Sequence, residues 1–401
     1  MSFDVARVRA LYPALSDGSA WLDAAAGTQM PQPVIDAIVA AYTAGIGNAH
    51  GAFAASARSD AIVAEARRAV ADLVGGDPDG VVFGPNMTTL TYRFARTLAR
   101  EWRPGDEIVV SRLDHDANVR PWVQAAEAAG AVVRWAEVEV PSGELPAAQY
   151  DELITERTRL VAVTAASNVL GTMPDVPRIA RKAHDAGALV YVDGVHATPH
   201  TPIDVTALGA DFYATSAYKW CGPHVGAVIA APALLERLRP DKLASAPDRV
   251  PDRFETGTLP FADLAGVTAA VDHLAGLDPQ PTGPRRRRVL ASMAAVEAYE
   301  QAELAYLCEH LAALPHVHLI GSPARRTATV YFTVDGHSPR RVAEHLAARK
   351  INVWDGHCYA WEVTGAFGIR DAGSAVRAGL VHYNDRSDVD RLLAALEELT
   401  P

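Results

Sequence analysis

Short apolar runs alternate with longer alanine-rich stretches over the first two thirds of the chain. The runs at 160–163 and 189–192 are apolar without alternation, as strands buried on both faces of a sheet are. Two further runs, at 81–83 and 107–110, each precede a predicted helix, beginning near Met87 and Asn118. This alternation is typical of βαβ units. It predicts an α/β fold with a mostly parallel sheet and functional residues at the carboxyl ends of its strands.

The order of elements changes after the proline- and glycine-rich segment 278–284, which predicts a linker. The predicted elements beyond it are a long helix from about Arg286, a strand at 327–333, a helix at 338–350, strands at 351–353 and 376–380, and a closing helix capped by Ser387. These elements indicate a smaller α+β domain. We predict a large domain over 15–280 and a small domain formed by 1–14 and 285–401.

Composition narrows the class of protein. The chain has 401 residues, 49% hydrophobic and 21% charged, and no apolar run approaches the roughly 18 residues of a membrane span. Its amino terminus lacks the pattern of a secretory signal, so we expect a cytoplasmic protein without membrane contact. The net charge of −11 disfavours nucleic acid as a partner, and the basic run 285–288 is interpreted as a solvated helix start.

The cysteines exclude a disulfide framework. Cys221, Cys308 and Cys358 are too few for one and lack the spacing of a zinc site, so we expect reduced thiols and no metal. We interpret Cys221 and Cys308 as packing residues.

The pair most specific to one chemistry is Asp193, at the end of the run 189–192, and Lys219, 26 positions later. Pyridoxal phosphate (PLP) needs a lysine that forms an imine and an acid that pairs with the pyridine nitrogen. Ion pairing at 4 Å is worth about 4 kcal/mol at an effective dielectric constant near 20, which keeps that nitrogen protonated. Each residue alone is more often a strand-end cap or a surface charge.

The motifs around Asp193 and Lys219 favour their interpretation as a PLP site. From 21–26 to 376–379 the chain resembles the class V aminotransferase family of fold-type I PLP enzymes, in its cysteine desulfurase-like branch. The fold implied is a large, mostly parallel PLP-binding domain and a smaller α+β domain.

The resemblance implies a set of cofactor contacts. The residues and roles are Met87 (backbone) and Thr88 (hydroxyl) for the phosphate, His115 stacked on the pyridine ring, Asn168 and His196 for the phenolic oxygen, Ser216 and Tyr218 for the phosphate, and Thr258 for the phosphate of the neighbouring subunit. Thr258 thereby implies a homodimer with shared active sites. Taken without the resemblance, several of these residues are ordinary helix caps or turn residues.

The resemblance also implies substrate contacts. Arg377 matches the arginine that binds the substrate α-carboxylate, and His50 is a second candidate to face the substrate. Cys358 is a candidate sulfur acceptor, but it follows Gly356 by two positions where relatives have three. Burial as a small apolar residue is therefore its alternative role.

The expected function is a PLP-dependent reaction on an amino acid, with L-cysteine a candidate substrate. Lys219 would carry the cofactor as a Schiff base and shuttle the Cα proton, aided by His115 and Asp193. The outcome is desulfuration if Cys358 reaches the substrate sulfur, with a sulfur acceptor protein as a further partner. Otherwise it is β-elimination, epimerisation or transamination. The alternative of another class is a non-catalytic scaffold in sulfur trafficking, which would not need Asp193, Lys219 and Arg377 together.

Overall fold

The computed structural model describes residues 3–399. Its strands are β1 (Ala20–Trp21), β2 (Val81–Gly84), β3 (Glu107–Ser111), β4 (Val132–Ala136), β5 (Thr158–Thr164), β6 (Leu189–Asp193), β7 (Phe212–Ser216), β8 (Gly226–Ala230), β9 (Val317–Leu319), β10 (Thr329–Val334), β11 (Ile351–Asn352), β12 (Trp354–Gly356) and β13 (Ala375–Gly379). The predicted strands of both halves are confirmed to within a few residues.

The helices alternate with these strands in the first half of the chain. They are α1 (Val5–Arg9), α2 (Gln32–Ala44), α3 (Ala54–Val74), α4 (Met87–Leu98), α5 (Arg120–Ala129), α6 (Tyr150–Leu153), α7 (Val176–Asp185), α8 (Val205–Leu208), α9 (Pro232–Arg237), α10 (Phe261–Ala275), α11 (Arg285–Ala313), α12 (Pro339–Ala347), α13 (Trp361–Ala366) and α14 (Arg386–Glu397). Short 3-10 helices lie at Pro13–Asp17, Pro78–Gly80, Ala99–Glu101, Asp116–Asn118, Ala147–Gln149, Ala217–Lys219, Asp252–Phe254 and Arg370–Ala372. Within residues 3–399, no helix combines the length and the apolar character needed to cross a bilayer.

The large sheet has the strand order β2-β8-β7-β6-β5-β3-β4. All neighbouring pairs are parallel except those made by β8, which runs antiparallel to both β2 and β7. Side chains alternate between the two faces, so Val81 and Phe83 join one core cluster and Val82 joins another. Helices α4 and α5 cover one face, and α3, α7 and α10 cover the other. This confirms the α/β fold with a mostly parallel sheet.

A second sheet follows in the C-terminal half, in the antiparallel order β12-β13-β10-β9. Its core includes Ala20 and Leu22, because β1 pairs in parallel with β11. Val8 and Tyr12, by contrast, pack in the core of the large sheet. The exact domain boundaries therefore stay a prediction.

Two predicted features of the C-terminal half are wrong. The cap of α14 is Asp385, whose carboxylate accepts from the backbone N–H groups of Ser387 and Asp388, so Ser387 lies inside the helix. The basic run at the start of α11 is not simply solvated. Arg285 forms ion pairs with Glu65, Asp72 and Asp272, carboxylates of two other helices, which the local sequence could not reveal.

Candidate active site

The carboxyl ends of the parallel strands open into a cavity of about 910 Å³. Residues of both sheets and of the intervening loops line it: Ala25, Ala26, Met87, Thr88, Tyr92, His115, Asp116, Ala117, Arg120, Gln124, Thr164, Ala166, Asn168, Asp193, Val195, His196, Ser216, Tyr218, Lys219, Trp354, Asp355, Gly356, His357, Cys358, Tyr359 and Arg377. The structure therefore brings together every predicted site residue except Thr258 and His50.

Lys219 ends the short 3-10 helix that follows β7. Its Nζ donates to the backbone carbonyls of Ala25 (2.6 Å) and Ala26 (2.8 Å). Burial, reinforced by the nearby cation of Arg377, lowers the pKa of this amine to about 7, although Asp193 opposes the shift. The amine is therefore partly neutral at physiological pH, which is the form that attacks an aldehyde.

Asp193 is the last residue of β6 and is 4% exposed. Its Oδ1 accepts from the backbone N–H of Val195 at 2.9 Å. Burial raises the pKa of this carboxyl to about 6, against the opposing effects of that hydrogen bond and of Lys219. The following turn needs Gly194, because a Cβ there would lie 1.9 Å from the ring of Tyr213.

The N-terminus of α4 forms one end of the cavity. Asn86 caps the helix and accepts from Thr89, while the Met87 N–H donates to the hydroxyl of Ser216 at 3.0 Å. Thr88 is the second residue of α4, where a backbone N–H has no acceptor within the helix and can donate to a ligand. Backbone donors at a helix N-terminus suit a phosphate.

Close packing fixes this helix end in place. A Cβ at Gly226, the first residue of β8, would lie 2.3 Å from a backbone atom of Asn86 and 2.7 Å from the nitrogen of Met87. Glycine therefore lets β8 approach the turn. The ring of Tyr218 lies on the cavity wall and stacks on His224, with centroids 4.7 Å apart.

His115 lies on the loop after β3 and faces the cavity. Burial, with the cations of Lys219 and Arg377, lowers its pKa to about 3, so the ring is neutral. Its Nδ1 accepts from the backbone N–H of Ala117 at 3.0 Å, which leaves the ring proton on Nε2. The adjacent Asp114 is fully buried and bonds Ser111 and Asn118, which holds the loop in shape.

Asn168 and His196 line the wall nearest the second sheet. The Nδ2 of Asn168 donates to the carbonyl of Cys358 at 2.8 Å, and its buried Oδ1 has no partner within residues 3–399. The Nε2 of His196 lies 3.1 Å from the hydroxyls of both Thr327 and Thr329. The predicted contacts of both residues with a cofactor oxygen stay predictions.

Arg377 reaches the cavity from the middle of β13 and is only 4% exposed. One guanidinium nitrogen donates to the carbonyl of Asn168 at 3.0 Å. Within residues 3–399, no carboxylate forms an ion pair with it. The carboxyl of Asp23 interacts with it electrostatically without forming a direct ion pair. A buried guanidinium without a directly paired carboxylate favours an anionic ligand.

Cys358 lies between β12 and α13 and lines the cavity, partly buried. Its backbone φ is +48°, and that of Tyr359 is +59°, so two consecutive non-glycine residues adopt the left-handed conformation. Burial raises the pKa of the thiol, while Arg377 and Lys219 lower it. The Cys358 side chain thus lies on a strained loop and shares the cavity with Lys219 and Arg377.

His50 and Thr258 lie outside the cavity. His50 is exposed and its Nδ1 lies 3.2 Å from Asp60. Its Nε2 lies 3.4 Å from Arg249, in the segment that leads to Thr258, which is also exposed. In a single chain, neither residue reaches the cavity it was predicted to serve.

Several residues of the site were not predicted from the sequence. The carbonyls of Ala25 and Ala26 hold Lys219, and burial raises the pKa of nearby Asp23 to about 6. Asp116 and Arg120 also line the cavity. Asp23, Ala25 and Ala26 lie in the segment 21–26, which carried part of the family resemblance, and that resemblance was the signal that could have indicated them.

The residues present fit PLP. The buried carboxylate of Asp193 suits the pyridine nitrogen, and the Lys219 amine of lowered pKa suits the aldehyde. The N–H of Thr88 at the start of α4 lines the same cavity and suits the phosphate. The fold and the site together define a fold-type I PLP enzyme.

Comparison with known proteins gives the family. The chain belongs to the class V aminotransferase family, whose model, described as Aminotransferase class-V, matches residues 20–392. An uncharacterised protein of Mycobacterium tuberculosis (strain CDC 1551 / Oshkosh) is 39% identical over the full length of both chains. A cysteine desulfurase of Dickeya dadantii (strain 3937) is 33% identical, over 99% of this chain and 97% of the relative.

Solved structures agree with this family assignment. A cysteine desulfurase of Escherichia coli superposes with a TM-score of 0.87 at 30% identity, covering 99% of this chain and 98% of the other. A cysteine desulfurase of Thermococcus onnurineus NA1 gives 0.88 at 26% identity, covering 98% and 97%. The predicted family, fold class and cofactor are confirmed, and the protein is a PLP-dependent enzyme of cysteine desulfurase-like type.

Proposed function

We propose that this enzyme cleaves the C–S bond of L-cysteine and transfers the sulfur to Cys358. One observation carries the proposal: Lys219, Arg377 and Cys358, the three groups that such a reaction needs, line the same cavity. The cysteine desulfurases among the relatives and solved structures support the choice of substrate.

Each residue has a distinct task. Arg377 binds the substrate carboxylate through its planar fork of donors, which fixes the α-carbon relative to Lys219. When bound, PLP withdraws electrons from the substrate's α-carbon. The Lys219 amine, with a pKa of about 7, both accepts the Cα proton and returns a proton at neutral pH. Asp193 supplies the anion that stabilises a protonated pyridine nitrogen.

Sulfur transfer needs a thiol within reach of the substrate's sulfur. In the proposed step, the substrate Cβ–S bond breaks, a new S–S bond forms to the Sγ of Cys358, and Cβ gains a proton. The products are alanine and a persulfide on Cys358, so atoms and electrons balance without another reagent. The neutral imidazole of His115 lines the cavity and holds its proton on Nε2, so it can donate a hydrogen bond to a bound ligand.

A second reaction has a specific observation in its favour. Burial raises the pKa of the Cys358 thiol, and the carbonyl of Cys358 is tied to Asn168, which together disfavour a mobile thiolate. Without sulfur transfer to Cys358, the same cavity would support β-elimination of L-cysteine to pyruvate, ammonia and hydrogen sulfide.

Product analysis separates the two reactions. The holoprotein is incubated with L-cysteine and a reductant, and alanine and pyruvate are quantified. Desulfuration predicts alanine from the wild type and from Cys308→Ala, a control thiol on α11 outside the cavity, but loss of alanine in Cys358→Ala. Pyruvate from both wild type and Cys358→Ala supports elimination. A wild-type holoprotein that forms neither alanine nor pyruvate would refute C–S cleavage.

We further propose a homodimer with shared active sites. The exposed His50 contacts the segment leading to Thr258. Val39 and Tyr42 on α2 and Phe53 at the start of α3 expose 56%, 66% and 57% of their area. Exposed apolar side chains of this size favour a protein interface. The dimer would bring Thr258 to the partner's cofactor phosphate.

Mixed dimers test the sharing. Thr258→Ala weakens PLP binding in both sites, and Lys219→Ala removes the covalent attachment. In a mixed dimer, the chain carrying Thr258→Ala keeps its own Lys219 and receives an intact Thr258 from its partner. Tight PLP binding restored in the mixture supports sharing. A monomer by light scattering, or no restoration in confirmed mixed dimers, contradicts it.

A persulfide on Cys358 requires an acceptor. Two exposed aromatic side chains line the cavity, Trp354 at 50% and Tyr359 at 66% exposure, and Trp361 lies on the following helix. We propose that a sulfur acceptor protein docks here. Intact-protein mass spectrometry should detect the extra sulfur after L-cysteine is added, and Trp354→Ala should slow its transfer to an acceptor without slowing its formation.

A further inference from the structure

A second group of reactive side chains lies buried away from the cavity. Cys221, His273 and His382 present one sulfur and two imidazole nitrogens within 4.8 Å of one another. The hydroxyl of Tyr12 contacts all three, at 2.7 Å from the Nε2 of His273, 2.7 Å from the Nε2 of His382 and 3.2 Å from the Sγ of Cys221. None of these residues has a role in the proposed reaction.

The four residues come from four separate segments. Tyr12 follows α1, Cys221 follows Lys219, His273 belongs to α10 and His382 follows β13. Exposure ranges from 0% for Cys221 and His382 to 8% for His273. Such polar side chains converge in a core that could have been filled by apolar residues, as the surrounding cluster is.

The donor set suits zinc, and its sulfur–nitrogen spacing fits a tetrahedral site. Zinc binds thiolate at about 2.3 Å and imidazole at about 2.0–2.1 Å, so a tetrahedral site has an S–N edge of about 3.6 Å and an N–O edge of about 3.3 Å. The Sγ of Cys221 lies 3.6 Å from the Nε2 of His382. The two contacts of Tyr12 with imidazole nitrogens are hydrogen-bond distances of 2.7 Å, so each oxygen–nitrogen separation must lengthen by about 0.6 Å before the phenol oxygen becomes a ligand.

Charge also fits a buried ion. A divalent cation bound by one thiolate, one phenolate and two neutral imidazoles is a neutral complex, which avoids leaving a net charge in the core. We propose that Tyr12, Cys221, His273 and His382 form a closed structural site for a single zinc ion. Because all four ligands come from the protein, the ion has no open position for a substrate.

The site would join parts of the chain that are far apart in sequence. It ties the N-terminal segment and the C-terminal segment to α10 and to the loop that carries Lys219. The expectation of no metal came from the absence of a regular cysteine spacing. Here the fold, not the local sequence, brings the donors together.

Metal content tests the proposal directly. Holoprotein produced with added zinc and purified in reductant without chelator should contain one zinc per chain by plasma mass spectrometry. Cys221→Ser and His382→Gln should lose this zinc, while Cys308→Ala should retain it. Retained PLP absorbance and far-UV dichroism would show that the variants fold. Metal content is independent of C–S cleavage, so failure of one proposal leaves the other standing.

Cobalt provides a readout that needs no variant. Wild-type holoprotein exchanged with Co²⁺ should develop the visible d–d bands of a tetrahedral thiolate site, and release of its zinc to a strong chelator should lower the melting temperature. Zinc-supplemented wild type that contains no zinc and shows no cobalt bands would overturn the proposal, leaving a hydrogen-bonded cluster. Zinc retained equally by Cys221→Ser and His382→Gln would also overturn it.

Discussion

Replacing Arg377 with methionine tests the substrate-binding half of the account. The guanidinium is 4% exposed, bonds only the carbonyl of Asn168 among the hydrogen bonds of residues 3–399, and has no carboxylate partner there. Methionine keeps most of the side-chain volume, so the core of the second sheet should tolerate it. The substitution should therefore remove mainly the hydrogen bonds to the substrate carboxylate.

The magnitude follows from the bonds lost. A bidentate arginine makes two hydrogen bonds to a carboxylate, each worth about 1.5–3 kcal/mol when the groups are charged. Their loss is about 3–6 kcal/mol, or about 10²–10⁴-fold in kcat/KM at 1.4 kcal/mol per tenfold. Arg377 also lowers the pKa of Lys219, so Arg377→Met should raise the pH at which the amine becomes neutral.

The assay is kcat/KM for L-cysteine across a range of pH, for wild type, Arg377→Met and Arg377→Lys. Lysine retains the charge but not the fork, so it should give an intermediate loss and a smaller pH shift. Arg349→Met is the matched control, because the exposed Arg349 side chain lies outside the cavity and bonds only Glu398 and the carbonyl of His345 among residues 3–399. A loss below tenfold in correctly folded Arg377→Met would refute the assignment.

Three further predictions follow from the geometry of the cofactor site. The rate at which apoprotein takes up PLP should rise with pH and level off just above 7, because the neutral Lys219 amine is the reactive form; a rate that keeps rising towards the ordinary lysine pKa of 10.5 would contradict the lowered value. Gly226→Ala should push the Asn86 backbone away from β8, which should cost about 1–3 kcal/mol of stability in denaturant titration and weaken PLP binding. Gly276→Ala is the control, because a Cβ there has its nearest atoms at 3.5 Å, and it should change neither stability nor PLP binding. Asp193→Asn keeps the shape of the side chain but removes an interaction worth about 4 kcal/mol, so turnover should fall about 10³-fold with PLP still bound; near-normal turnover would be inconsistent with its role.

The sequence predicted the large sheet well because its signals are local. The apolar run 189–192 ends in Asp193, and the strand, its burial and its terminal carboxylate all appear in the structure as expected. The predicted N-cap of α14 was wrong because Asp385 and Ser387 are both good capping residues two positions apart, and only backbone geometry distinguishes them. Local pattern therefore locates an element better than it locates its ends.

The parts that the sequence did not predict depend on contacts between distant segments. The carbonyls that hold Lys219 lie 193 and 194 positions away in the chain, and two of the three ion pairs of Arg285 span 213 and 220 positions. No periodicity or motif encodes such contacts. The same reason hid the convergence of Tyr12, Cys221 and the two histidines.

The central claim is that the amine at position 219 bonds covalently to PLP. Borohydride reduction of the yellow holoprotein, followed by peptide mass spectrometry, should place the reduced pyridoxyl phosphate on the peptide that contains Lys219. Lys219→Ala should give no such adduct. An unmodified Lys219 in protein that retains its visible absorbance, or an adduct on another lysine, would contradict the account.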